Sequence, residues 1–117
     1  MLRSIFSLKD LLYPSVCISC LKYGNLICLK CEASWLVKPN KTKVAGIDHY
    51  FVQEYNEYSA RIILASKESG NKLARILLAT AIARLIIFSV SEKKFNGQIV
   101  LVSIPSQKNV IRSRGRD

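Results

Sequence analysis

The chain has 117 residues, and its 18 lysines and arginines against 8 aspartates and glutamates leave a net charge of +10. Half of the residues are hydrophobic, which excludes an intrinsically disordered chain and a low-complexity tail. This length suits one ordinary domain, or a small module followed by part of a larger domain. It excludes a complete doubly wound enzyme domain that also carries an appendage.

The first residues do not make a secretory signal. Lys9 and Asp10 interrupt the apolar run before it reaches the length of about 7–15 residues that such a signal needs. The most apolar window, residues 73–90, contains Arg75 and Arg84, which are costly in hydrocarbon. We therefore expect a cytoplasmic chain with no export signal and no membrane span.

Changes in composition divide the chain into three parts. Residues 1–37 predict a short helix, which ends before Pro14, and then a segment that carries every cysteine. Residues 38–46 are polar and basic and include Pro39, as is typical of a linker. Residues 47–117 hold the remaining apolar runs and form the second unit.

Seven residues separate two Cys-x-x-Cys pairs: Cys17 with Cys20, and Cys28 with Cys31. Four thiolates at this spacing can surround one metal ion as a tetrahedron, and they predict a structural zinc site with no open position for catalysis. The connection is shorter than in zinc ribbons, which predicts a compact zinc knuckle. Disulfides or redox use, ordinary buried thiols, and iron in place of zinc are the alternatives. His49, the single histidine, lies outside the pattern.

The second unit begins with a predicted strand over residues 47–55, where aromatic and β-branched residues accumulate. A helix that starts at Asn56 or Ser59 follows, and Gly70 ends it. Residues 72–91 predict a second, longer helix. One face of this helix carries a continuous apolar stripe, which consists of Ala74, Leu77, Leu78, Ala81, Leu85 and Phe88.

A nearly unbroken run of apolar and β-branched residues occupies Gln98–Ile104. Such a run is typical of a strand that is buried on both faces, as in a parallel sheet with helices on either side. No second strand of this kind follows in the sequence. The pattern therefore predicts an α/β fold with an incomplete parallel sheet, preceded by the small module with four cysteines.

The last residues are strongly basic, with Lys108, Arg112, Arg114 and Arg116 within nine residues. The carboxyl end of a parallel strand is where α/β proteins place their ligands, and forked guanidinium groups suit phosphate. The alternative interpretation is a solvated, disordered basic tail.

Four pieces of the sequence occur in an order that is known from one protein family. They are Asp10–Pro14 before the cysteines and Trp35-Leu36; Tyr55, Arg61, Lys67 and Gly70; the helix start Lys72–Leu77; and Val100–Ser106 before Arg112–Asp117. Together they resemble the ComF family of phosphoribosyltransferase-like proteins, which are linked to competence and DNA uptake. The resemblance covers essentially the whole chain, but only about the first half of a typical family member.

The resemblance implies a zinc knuckle followed by the first part of a phosphoribosyltransferase-like sheet. It also implies that Lys67, Arg112 and Arg114 lie nearest a phosphate-bearing ligand. Enzymes of this type bind their diphosphate sugar with two adjacent acidic residues and a Thr/Gly-rich loop, and this sequence has neither; Ser103 also stands where the first strand-end proline is expected. We therefore expect a chain that is truncated before that loop and inactive by itself. A missing C-terminal half, or a protein partner of the DNA-uptake machinery, would complete it.

Two other functions fit the same residues. The net charge and the zinc knuckle suit a small basic module that binds nucleic acid or another protein. No row of aromatic side chains for base stacking alternates with the cations, however. The remaining possibility is a remnant without activity, whose apolar surfaces make it poorly soluble.

Overall fold

The computed structural model describes residues 12–115, so most of the helix predicted within residues 1–14 lies outside the described residues. The elements that follow, in chain order, are α1 (Leu29–Trp35), β1 (Asn40–Val44), β2 (Ile47–Phe51), α2 (Glu57–Lys67), α3 (Lys72–Lys93) and α4 (Lys108–Arg114).

Strands β1 and β2 form an antiparallel hairpin in which Val44 pairs with Ile47 next to the turn. The connecting residues Ala45 and Gly46 both have positive φ angles, of 50° and 79°, as a two-residue turn of type I′ requires. The segment 38–46, predicted as a linker, therefore contains strand β1. Every residue of β1 is exposed, so no alternation of apolar and polar side chains marks this strand in the sequence.

The strand and the two helices predicted for residues 47–91 are confirmed, with strand β2 covering the first part of the predicted 47–55. Helix α2 begins after Asn56, whose side-chain oxygen accepts hydrogen bonds from two backbone N–H groups, including that of Ser59. The Ser59 hydroxyl oxygen accepts the backbone N–H of Asn56 in return, at 2.8 Å, which completes a capping box. Helix α3 also begins with an asparagine cap, because the side chain of Asn71 accepts the N–H of Ala74 at 3.0 Å.

The hydrophobic core lies where α1, α2 and α3 meet. Its buried members are Trp35, Ile62, Ala74, Leu77 and Ala81. Four members of the apolar stripe predicted for α3 lie in or against this core, namely Ala74, Leu77, Leu78 and Ala81, and its other two members are half-buried. Ile18 and Ile27, which belong to the cysteine-bearing segment, pack against the same core. The cysteine-bearing segment is therefore held on the helices by apolar contacts.

The prediction of a strand over Gln98–Ile104 is wrong, because this segment has no regular secondary structure. Its side chains are exposed, from 48% at Ile99 to 95% at Ile104. Within residues 12–115 the sheet is the antiparallel pair of β1 and β2, so no strand is available beside this segment to take its backbone hydrogen bonds. The described chain thus mixes helix and strand around a cysteine cluster, without the parallel sheet that we expected.

Helix α3 is long and apolar enough to cross a membrane, judged by length and composition alone. Within the described part of the chain it is the one helix that meets this criterion, and 17% of its most apolar window is buried. Core helices of soluble proteins meet the same criterion, so the absence of a membrane span stays a prediction.

The packing of α2 predicts that a substitution on this helix lowers the free energy of unfolding by an amount that depends on how buried the substituted side chain is. We expect Ile62→Ala to lower the free energy of unfolding by about 2–5 kcal/mol, because this side chain is fully buried. Leu64→Ala is the matched control on the same helix, since Leu64 is 49% exposed, and its expected loss is below about 1 kcal/mol. Urea unfolding followed by circular dichroism measures both, and equal losses would contradict this description of the core.

Candidate metal centre

The four cysteine sulfurs converge on one point of the molecule. The Sγ atoms of Cys17, Cys20, Cys28 and Cys31 all lie within 4.8 Å of one another, and those of Cys20 and Cys28 are 3.7 Å apart. All four cysteines are free thiols; Cys17 is buried and the other three are half-buried. Four soft donors at one point, with no disulfide among them, form a site that can hold a metal ion.

The first Cys-x-x-Cys pair lies in a tight loop that backbone hydrogen bonds close. The N–H of Cys17 donates to the carbonyl of Lys22 at 2.8 Å, and the N–H of Leu21 donates to the carbonyl of Cys17 at 2.9 Å. Leu21 has a φ angle of 63°, the left-handed conformation in which the loop reverses direction. An isolated antiparallel bridge between Val16 and Tyr23 joins the two ends of the loop.

The second pair lies at the start of α1. Cys28 immediately precedes the helix and Cys31 lies in its first turn, where backbone N–H groups without helical partners favour negative charge. The N–H of Cys28 donates to the Sγ atom of Cys17 at 3.4 Å. The N–H of Ile18 donates to the carbonyl of Leu26 at 2.8 Å. These two bonds join the first loop to the start of the helix and so bring the two pairs together.

The surroundings of the sulfurs shift their pKa values in opposite directions. Burial would raise the pKa of Cys17, but hydrogen bonds from neighbouring backbone N–H groups, chiefly those of Cys20 and Cys28, lower it to about 6. The backbone N–H of Cys31 lowers the pKa of Cys28. Burial raises the pKa of Cys31 to about 12, and the neighbouring sulfurs add to this rise. A metal ion that bound all four sulfurs would have to displace a proton from Cys31, because metal binds the thiolate form.

Two lysines lie beside the cysteines. Lys22 and Lys30 line a cleft together with Cys20, Cys28 and Cys31, and among residues 12–115 no carboxylate lines this cleft. A divalent metal with four thiolates carries a net charge of −2, which nearby ammonium groups stabilise. The two lysines would therefore offset part of the negative charge of a metal ion held by the four sulfurs.

Helix α2 anchors the first cysteine loop. The Arg61 guanidinium donates to the carbonyl of Ser19 at 2.8 Å, and it also forms an ion pair with Glu57 one turn earlier. The buried hydroxyl of Ser19 donates to the carbonyl of Tyr58 at 3.2 Å. Sequence reasoning missed these contacts, because they join residues about forty positions apart and leave no local pattern.

The residues predicted to bind phosphate lie on two different helices. Lys67 is the last residue of α2 and Arg112 is exposed on α4, which ends at Arg114. Within the described chain α4 contacts no other helix or strand, and Arg116 lies outside the described residues. His49 is exposed on β2, with its ring against that of Phe51, away from the sulfurs.

The anchoring contact predicts a stability effect of Arg61. We expect Arg61→Ala to lower the free energy of unfolding by about 1–2 kcal/mol, because it removes a charged donor from the Ser19 carbonyl, and Ser19 is buried. Glu57→Ala removes only the exposed ion pair and costs about 0.5 kcal/mol or less. Arg75→Ala, on the exposed side of α3, serves as a charge-matched control. Thermal unfolding measures all three, and an unchanged Arg61→Ala would contradict the anchoring role.

No family model, curated protein or solved structure matches the chain. Its function is therefore argued from the cysteine cluster, the charge distribution and the exposed surfaces.

Proposed function

We propose that the chain binds one structural zinc ion through Cys17, Cys20, Cys28 and Cys31. The observation that carries this proposal is the spacing of the sulfurs. Zinc bonds of about 2.3 Å to four thiolates in a tetrahedron separate the sulfurs by about 3.8 Å. The Cys20 and Cys28 sulfurs are 3.7 Å apart, and all four lie within 4.8 Å of one another. Four thiolates saturate the ion, so its role is to hold the loop and the start of α1 together.

A zinc ion at this place stabilises the fold rather than carrying out a reaction. The two cysteine pairs belong to a loop and to the start of a seven-residue helix, neither of which is stable alone. A structural zinc contributes its binding free energy to folding. Because Ile18 and Ile27 pack on the helical core, the ion also holds these apolar side chains in place.

For the whole chain we propose a ComF-like role linked to DNA uptake, without catalysis by these 117 residues themselves. The supporting observations are the four sequence pieces that resemble that family and the cysteine cluster. Phosphoribosyl transfer needs adjacent acidic residues and a phosphate-binding loop, which this sequence does not contain. We assign no catalytic residue, and we place Lys67, Arg112 and Arg114 near a phosphate-bearing ligand only in the assembly with a partner. A cytoplasmic location belongs to the same proposal.

Nucleic-acid binding is the second candidate, favoured by the net charge of +10. Several cations are already engaged inside the protein. Lys41 and Lys93 both contact the carboxylate of Asp48 and lie over the Tyr50 ring, and Lys38 lies over the Phe88 ring. These contacts leave the hairpin side of the molecule less attractive to phosphate than its charge suggests, so we rank this function second.

The zinc proposal predicts one zinc ion per chain by elemental analysis. We expect Cys17→Ser or Cys31→Ser to weaken zinc binding at least about 100-fold, because each thiolate supplies about a quarter of a large binding free energy. Ala33→Ser is the matched control: it places the same residue at an exposed position of α1 and removes no sulfur. Competition with a coloured chelator measures the affinity.

Three outcomes would contradict the zinc proposal. The purified chain could hold iron, it could contain disulfides and no metal, or Ala33→Ser could weaken zinc binding as much as the cysteine variants do.

The two candidate functions differ in their salt dependence. If the chain binds DNA only through its net charge, we expect weak, sequence-independent binding that falls at least about tenfold between 50 and 200 mM salt. Fluorescence anisotropy with two duplexes of unrelated sequence measures this. Tight binding of one duplex that persists at 200 mM salt would reverse our ranking and favour a nucleic-acid module.

A further inference from the structure

The segment Gln98–Ile104, here called the apolar segment, exposes both of its faces. In extended backbone, Ile99 and Leu101 point to one side while Val100, Val102 and Ile104 point to the other. These side chains are 48%, 74%, 72%, 88% and 95% exposed, in that order. A monomeric protein rarely leaves so continuous an apolar surface open, so this segment requires a partner.

The backbone of the apolar segment also lacks partners. Within residues 12–115 its N–H and C=O groups form no hydrogen bond with other backbone groups. Its β-branched residues favour extended conformation. A lipid surface would bury the side chains but leave extended backbone groups unsatisfied. The edge of a sheet satisfies both requirements, because it supplies a hydrogen-bond ladder and apolar neighbours.

The charges around the apolar segment indicate the sign of the charge that suits a partner surface. Lys94 precedes it and Lys108 and Arg112 follow it, and all three are exposed. The sequence contains no acidic residue between positions 93 and 116. A partner surface that meets this segment therefore gains from carboxylates at both ends of its own strand.

A second copy of this chain fits the segment poorly. Lys94 caps the end of α3 and Lys108 begins α4, so antiparallel pairing of two copies about Leu101 brings these basic flanks together at both ends of the pair. Like charges that approach one another oppose such pairing. Each copy also carries a net charge of +10, which adds long-range repulsion.

We propose that Gln98–Ile104 docks as an added β-strand on the sheet edge of a different protein, whose edge strand is apolar and flanked by acidic residues. The proposal rests on the proposed function only in assigning a protein partner to the chain. It does not depend on the metal, since no cysteine lies in or beside the segment.

The test uses the full, zinc-loaded chain and two synthetic peptides of one apolar core, Val-Ile-Val-Ile-Val. One peptide carries two glutamates at each end and the other carries two lysines. We expect the acidic peptide to slow amide hydrogen exchange across residues 98–104 and to bind at least about tenfold more tightly than the basic one. Added salt should reduce the difference in affinity between the two peptides, because it screens the exposed charges.

Two variants at one position separate strand docking from unspecific apolar contact. Val102→Pro removes a backbone donor and should abolish binding of the acidic peptide, because a central strand position needs its N–H. Val102→Thr keeps the N–H and the β-branched shape, and it should retain binding within about tenfold. Val102 is 88% exposed, so neither variant should change the unfolding temperature of the rest of the chain.

Several results would overturn the proposal. They are the absence of protection with either peptide, equal binding of the two peptides, self-association that protects residues 98–104 without peptide, and protection by anionic vesicles but not by the acidic peptide. The zinc content of the same sample is measured in parallel. Loss of zinc would count against the proposed metal site, and failure of the peptides would count against strand docking alone.

Discussion

The approach of four cysteine sulfurs to within 4.8 Å of one another is the constraint on which the first half of the structure depends. It joins the loop of residues 17–22 to the start of α1, and thereby fixes where Ile18 and Ile27 meet the helical core. Four thiols gain little from such proximity by themselves, since their ionised forms repel one another. A metal ion bound to all four sulfurs would convert that repulsion into a crosslink, which is the structural role that we propose for the site.

The core that receives this loop is small. Five side chains from α1, α2 and α3 are buried in it, and two of them are alanines. A core of this size stabilises a chain of this length only modestly. The contacts of Arg61 and Ser19 with their partners across the loop and α2 therefore matter more than they would in a large domain. Core packing and these polar contacts stabilise one shared unit, to which the proposed metal ion would add.

The surface of the molecule is divided between charge and apolar side chains. On the hairpin side, Lys41 and Lys93 are held by Asp48 and by the Tyr50 ring. In the C-terminal part of the chain, the apolar side chains of residues 98–104 are exposed to water between two basic flanks. From this combination we propose association with an acidic protein surface rather than unspecific binding of nucleic acid, to which apolar segments of this kind contribute little.

The sequence by itself determined the features that depend on neighbouring residues. Asn56 and Asn71 begin helices because an amide side chain can accept the free N–H groups of the first turn, and the apolar stripe of α3 predicted its buried face. The two Cys-x-x-Cys pairs predicted that four sulfurs meet at one point, because each pair forms a local chelating turn and the connection between the pairs is short.

Only the tertiary structure decided what depends on distant partners. Strand β1 exists because β2 pairs with it, although its own side chains are all exposed. Gln98–Ile104 has every local property of a buried strand and is not one, because the described chain offers it no neighbour. The bond of Arg61 to the Ser19 carbonyl spans forty-two positions and follows from packing alone. Local propensity chooses a backbone conformation, but a strand and a long-range anchor also need a partner, and its position is set only when the whole chain has folded.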